Sequence, residues 1–198
     1  MVQDLIVSTH NLHKLEEIRS TMVVELNLVS LKDLNFNKYI PETGSSFEEN
    51  AKIKSDVIFK LFNKDVMSDD SGLEVSVLNG APGVFSARYS GDNATDKENV
   101  LKLLGVLKNE GNRKACLRTV ISLQWKNKHC FFEGKIDGHI AHVPTGLNGF
   151  GYDPIFIPDG YDISFAEMES AEKNKISHRA LAIKKMVDFL TTDLAKQK

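Results

Sequence analysis

The feature that most constrains the fold lies at the start of the chain. Leu5-Ile6-Val7 reads as a short buried strand, and Leu12, Leu15, Ile18 and Met22 then recur at helical spacing. The chain therefore passes from strand to helix through the tight loop Ser8-Thr9-His10-Asn11, the opening move of an α/β fold. Capping boxes announce two further helices: Ser46-x-x-Glu49, followed by the stripe Phe47, Ala51, Ile58, Leu61 and Phe62, and Thr95-x-x-Glu98, followed by Val100, Leu101, Leu103, Leu104 and Leu107. Val66-Met67 reads as a strand running into Ser68-Asp69-Asp70-Ser71-Gly72. Ala115 to Trp125 and Cys130 to Ile136 form a hairpin about Lys126-Asn127-Lys128, Ile155-Phe156-Ile157 is another strand, and a last helix opens near Ser177. Strand-loop-helix units early and a hairpin late predict a long mixed sheet flanked by helices. No repeat or linker divides the 198 residues, so residues 1–198 are read as one domain.

Charge and cysteine content narrow the function. With 25 Lys and Arg against 27 Asp and Glu, the net charge of −2 argues against a generalised grip on a nucleic-acid backbone. Cys116 and Cys130 lack metal or redox spacing, which fits a reduced compartment. An acidic residue near the N-terminus and the absence of any long apolar run predict a cytoplasmic chain without a membrane partner.

Four segments could carry chemistry. The first loop puts Asn11 and Lys14 at a helix N-terminus, where free N–H groups and a lysine suit phosphate; an Asn cap followed by a surface lysine is the plainer alternative. No P-loop pattern occurs. Asp69-Asp70-Ser71-Gly72, expected at a strand end, pairs two carboxylates that need a cation or donors to hold their charge, and such oxygens suit Mg²⁺. An Asp-rich turn with Gly72 at positive φ is the alternative there, and Glu42 is a further carboxylate for the same ion. In Gly146 to Pro154, glycines surround Phe150 and leave a ring face for stacking on a base, or simply form a turn with a core-filling Phe. Lys173 and Ser177-His178-Arg179 gather cations near a helix start, where the dipole disfavours them and a ligand could offset the cost. Lys54 also stands out, as a lysine in the apolar stripe of its helix that could equally snorkel to the edge. The H-x-x-H pairs His10 with His13 and His139 with His142 lack an accompanying glutamate pattern and are incidental.

Taken together these segments resemble the inosine triphosphate pyrophosphatase family. The matching text is Ser8 to Lys14, Phe47-Glu48-Glu49-Asn50-Ala51 with Lys54, Asp69 to Leu73, Gly80 to Tyr89, Gly149 to Pro154, and Ser177-His178-Arg179, in family order. The resemblance implies an α/β fold with two lobes and a central cleft, and a homodimer. It also implies Mg²⁺-assisted hydrolysis of ITP, dITP and XTP to a monophosphate and pyrophosphate. Carried over residue by residue, Asp70 falls on the general base and metal ligand, with Asp69 and Glu42 as further candidate ligands. Ser8, Thr9, His10, Asn11, Lys14 and Lys54 fall on the phosphate contacts and Ser71 on a neighbouring substrate contact. Phe150, Gly151, Tyr152 and Asp153 fall on the base-stacking segment, and Lys173, His178 and Arg179 on the base-recognition group. His10 and Leu147-Asn148 depart from the family text beside these contacts, which touches fine specificity more than the reaction. Competing readings are a pyrophosphatase for modified pyrimidine or methylated nucleotides, and a non-catalytic nucleotide or RNA-binding module. The neutral charge and the intact Asp69-Asp70 pair weigh against the latter.

Overall fold

The computed structural model describes residues 2–195. Its strands are β1 (Gln3–Val7), β2 (Leu26–Ser30), β3 (Val66–Val75), β4 (Lys114–Trp125), β5 (Lys128–Ile140) and β6 (Phe156–Pro158); its helices are α1 (Leu12–Thr21), α2 (Phe47–Phe62), α3 (Asp96–Val106), α4 (Ser170–Ile176) and α5 (His178–Ala195). The strands form one six-stranded sheet in the order β2-β1-β3-β4-β5-β6. β1 pairs in parallel with both β2 and β3, while β6 lies antiparallel to β5, so the expected mixed α/β sheet is present. Lys126 and Asn127, both at positive φ, make the β4–β5 connection, the two-residue turn whose twist matches a hairpin.

By contacts the chain divides into two compact units, Met1–Asp70 with Thr119–Gly134 and Arg179–Lys198, and Ser71–Arg118 with Lys135–His178. Strand alternation organises the first. Leu5 and Val7 of β1 and Met67 of β3 join Leu15 and Ile18 of α1, Trp125 of β4, and Ile183, Met186 and Leu190 of α5 in one buried cluster. Ile6 and Val66, the intervening residues, pack instead with Ile58 of α2, Leu31 and Ile40. The lone tryptophan is wholly buried there, and its Nε1 donates to Asp193 of α5 at 2.9 Å. In the second unit Leu73 and Val75 of β3 pack with Val100, Leu103 and Leu107 of the α3 segment and with Tyr152, Ile155, Phe156 and Phe165.

Three differences from the sequence reading bear on the site. Asp69-Asp70-Ser71-Gly72 is no turn: β3 runs unbroken through it, and Gly72 is absent from the positive-φ glycines. The last-helix region is two helices, with Lys173 in the final turn of α4 and His178 opening α5. Leu12, Leu61 and Leu101, each read into an apolar stripe, are more than half exposed, so each stripe is narrower than its leucines suggest. Apart from the site, β2 is a strand the sequence reading does not include; of its five residues only Ser30 is buried.

Candidate active site

The first unit assembles a charged cluster from the middle of β3, the starts of α1 and α5, and the middle of α2. Asn11 is the N-cap of α1, its Oδ1 accepting the Lys14 N–H at 3.1 Å, while the Asn11 N–H donates to Thr9 Oγ1 at 3.2 Å. The Ser8 N–H donates to the Met67 carbonyl at 2.8 Å, which seats the loop against β3. Lys14 is thereby fixed in the first turn of α1 and its Nζ lies 3.0 Å from Asp69 Oδ2. The same oxygen accepts from Arg179 Nε at 3.3 Å, and Arg179 Nη1 donates to Glu17. Burial would push the Asp69 carboxyl up, but Lys14, Arg179 and Lys54 outweigh it and hold it well below the usual carboxylate range. Burial lowers the Lys14 ammonium, against the opposing pull of Asp69.

One residue further along β3, Asp70 belongs to a different set of partners. Lys54 of α2 donates to Glu42 Oε1 at 2.7 Å and sits 3.6 Å from Asp70 Oδ1. Burial works to lower the Lys54 ammonium, yet Asp70, Glu42 and Asp69 together raise it. The lysine inside the apolar stripe is therefore an ionised partner of two carboxylates, not a snorkelling side chain. Glu42 reaches it because Gly44 lets its loop lie on the start of α2: the Gly44 N–H donates to Asn50 Oδ1 at 2.8 Å, and a Cβ there would stand 2.6 Å from Glu49 Cβ. Burial raises the Asp70 carboxyl, with Lys54 and Lys14 pulling the other way.

Two carboxylate oxygens of this cluster, Asp69 Oδ1 and Asp70 Oδ2, are buried without a hydrogen-bond partner. Such an atom costs about 1–3 kcal/mol or more unless something outside the chain satisfies it. Among the described residues no three His, Cys, Asp or Glu side chains form a group able to hold a metal alone. A divalent ion that keeps its waters and shares substrate phosphates needs only one or two carboxylates, so the orphaned oxygens fit it.

The second unit builds a loop in place of a charge cluster. Asp153 Oδ2 accepts the Phe150 N–H at 2.9 Å and Lys173 Nζ at 2.6 Å. Lys173, buried in the last turn of α4, lies 5.1 Å from the centre of the Phe150 ring and 5.7 Å from that of Phe165. Gly149 is required here: its φ is +74°, and a Cβ would stand 2.0 Å from Asp153 Oδ2. The Tyr152 hydroxyl donates to the Ser86 carbonyl at 2.9 Å, and Ser86 Oγ accepts the Leu73 N–H at 2.9 Å, which ties the Gly80 to Tyr89 segment to β3. Burial pushes the Tyr152 hydroxyl far above its ordinary value. Asn148 Nδ2 donates to the Met168 carbonyl at 3.1 Å, so this departure from the family text backs the loop, whereas the Leu147 side chain is fully exposed.

Of the sequence candidates, Lys14, Lys54, Asp69, Asp70, Glu42 and Arg179 are thus joined by contacts within the first unit, with Ser8, Thr9 and Asn11 shaping the loop that carries Lys14. Phe150, Gly151, Tyr152, Asp153 and Lys173 form the second group, with Ser71 and the buried His178 in the same unit. His10 is exposed, its Nε2 3.1 Å from the Lys38 carbonyl.

A family model described as the Ham1 family matches residues 5–189. The chain belongs to the Ham1 family. Among Ham1 relatives, a dITP/XTP pyrophosphatase of Christiangramia forsetii is 47% identical over 94% of this chain and 98% of its own length. One of Porphyromonas gingivalis is 46% identical over 96% and 98%. The solved structure of a HAM1 protein from Coxiella burnetii superposes with a TM-score of 0.89 at 37% identity, covering 96% of this chain and all of that one. The expected pyrophosphatase family and fold are both borne out.

Sequence reasoning missed three residues of this Ham1 chain that the geometry brings in. Glu17 holds Arg179, so the cation at a helix start, read as awaiting a ligand, already has two carboxylates of its own chain. Ser86 links Tyr152 to β3. Asp96 accepts the Gly151 N–H at 2.7 Å. Glu17 lies one turn after Lys14, on the same face of α1, which is the signal that could have found it.

Proposed function

We propose that this chain hydrolyses non-standard purine nucleoside triphosphates, among them dITP, XTP and ITP, to the nucleoside monophosphate and pyrophosphate. The observation that carries the reading is Asp70: a buried carboxylate with one oxygen facing Lys54 and the other without a partner. Names of relatives at 46–47% identity support the substrate class.

Lys14, Lys54 and the N–H groups of residues 8 to 14 bind the triphosphate oxygens. Mg²⁺ fits the orphaned oxygens of Asp70 and Asp69, with Glu42 near by, and when bound it neutralises charge on the phosphates. Asp70 acts as the base: it accepts a proton from the water whose oxygen bonds to the α-phosphorus as the bridging P–O bond breaks and pyrophosphate leaves. Lys54 favours the ionised form of Asp70 that this requires. Ser71 contacts the substrate beside it. Phe150 stacks on the base, Gly151, Tyr152 and Asp153 shape that contact, and Lys173, His178 and Arg179 form the base-recognition group. Hypoxanthine and xanthine present a 6-keto acceptor to such donors, whereas adenine presents an amino group, a mismatch worth up to about 10⁴-fold in selectivity.

The same reading takes the enzyme as a cytoplasmic homodimer acting on free nucleotides, with no nucleic-acid or membrane partner. The family resemblance supports the dimer, and among the described residues no helix is long and apolar enough to cross a membrane. Purified protein incubated with XTP, ITP, GTP and ATP, with and without Mg²⁺, is expected to release pyrophosphate from XTP and ITP only when the ion is present. Orthophosphate as the product would overturn the mechanism.

A further inference from the structure

Phe150 stands between two glycines that would leave it loose, since Gly149 and Gly151 both take positive φ, at +74° and +63°. A ring meant to stack needs its Cα–Cβ bond aimed, and the peptide groups on either side of the residue do the aiming. Both are held by carboxylates. The Phe150 N–H donates to Asp153 Oδ2 from within the loop, and the Gly151 N–H donates at 2.7 Å to Asp96 Oδ2, which comes from 55 residues away.

Asp96 is free for this task. It is the first residue of α3, but the helix start is closed without it: Thr95 Oγ1 accepts the Glu98 N–H and Glu98 accepts the Thr95 N–H, a complete capping box. Asp96 itself is exposed. A carboxylate oxygen is a strong acceptor for a backbone amide.

We infer that Asp96 is a positioning residue for nucleobase binding, which aims Phe150 by clamping the Gly151 amide while Asp153 clamps the preceding one. The inference rests on Phe150 stacking against the base, as proposed above. It separates contacts that depend on the base from those that depend on phosphate.

The test measures turnover of XTP together with inhibition by inorganic tripolyphosphate, which has phosphates and no base. Loss of a charge-assisted hydrogen bond predicts a KM for XTP raised about tenfold in Asp96→Ala, with a smaller change in kcat. The inhibition constant of tripolyphosphate should stay within about twofold, and the melting temperature within about 4 °C, of the parent values. Asp96→Asn keeps a neutral acceptor, so about half of the loss, on a logarithmic scale, should be recovered. An unchanged KM in Asp96→Ala, an equal loss of tripolyphosphate binding, or an Asn variant as impaired as the Ala variant overturns the inference while leaving the pyrophosphatase reading intact. A parent enzyme without XTP turnover overturns both.

Discussion

The two units solve opposite problems with the same residue types. In the first, carboxylates and cations alternate: Asp69 holds Lys14 and Arg179, Glu17 holds Arg179, and Lys54 lies between Glu42 and Asp70. In the second, the carboxylates beside Phe150 hold backbone: Asp153 and Asp96 take consecutive amides around it, and Asp153 also pairs with Lys173. A cluster of charges on rigid elements suits a ligand of many charges, while a clamped loop with one ring suits a flat, neutral one. Under the proposed function the phosphates fall to the lysines of the first unit and base stacking to Phe150 of the second, a division that can be broken.

The largest effect is expected at Asp70. Asp70→Asn removes the proton acceptor and should lower pyrophosphate release by about 10²–10⁴-fold, while thermal unfolding shows the protein as stable as its parent or more so. A rate close to the parent value would remove Asp70 from its role. Next comes Lys54→Met, which should raise KM about 10–100-fold for XTP and weaken inorganic tripolyphosphate by a similar factor, since the lost contact is with phosphate. Phe150→Ala should act on the base alone, with a roughly 5–100-fold rise in KM for XTP and unchanged tripolyphosphate inhibition. If Lys54→Met and Phe150→Ala shift both ligands in parallel, the division of labour fails.

The smallest effect concerns a carboxylate outside both groups. Hydrogen bonds from Trp125 and Lys126 hold Asp193 at about 2, below its ordinary 3.8. A depressed value means that the bonded carboxylate stabilises the fold above its ordinary range and is lost as the pH falls toward the folded value. The melting temperature should therefore decline between about pH 4 and pH 2 by a margin that Asp193→Asn removes, read by calorimetry across that range.

Much of this could be read from sequence because the signals are local. The strand-to-helix step at Val7 to Leu12, the capping box at Thr95 and the turn at Lys126-Asn127 each depend on residues within a few positions of one another. Lys54 is conspicuous for the same reason, as a charge inside a stripe. What sequence could not give were partners joined only by folding. Arg179 meets Asp69, 110 residues away, and Asp96 meets Gly151 across 55. Asp, Ser and Gly favour turns and so point the Asp69-Asp70 pair to a strand end; tertiary context overrides that propensity, and β3 carries the pair in mid-strand. α4, seven residues long, is too short for its period to show.

The single tryptophan has a practical consequence. Trp125 is sealed in the core of the first unit with its indole N–H against a carboxylate, while the Phe150 loop belongs to the second. Indole emission in a denaturant titration is therefore a native reporter on the first unit alone, with no label to introduce. Compared with the far-ultraviolet dichroism of the whole chain, it shows whether that unit loses its structure in step with the rest.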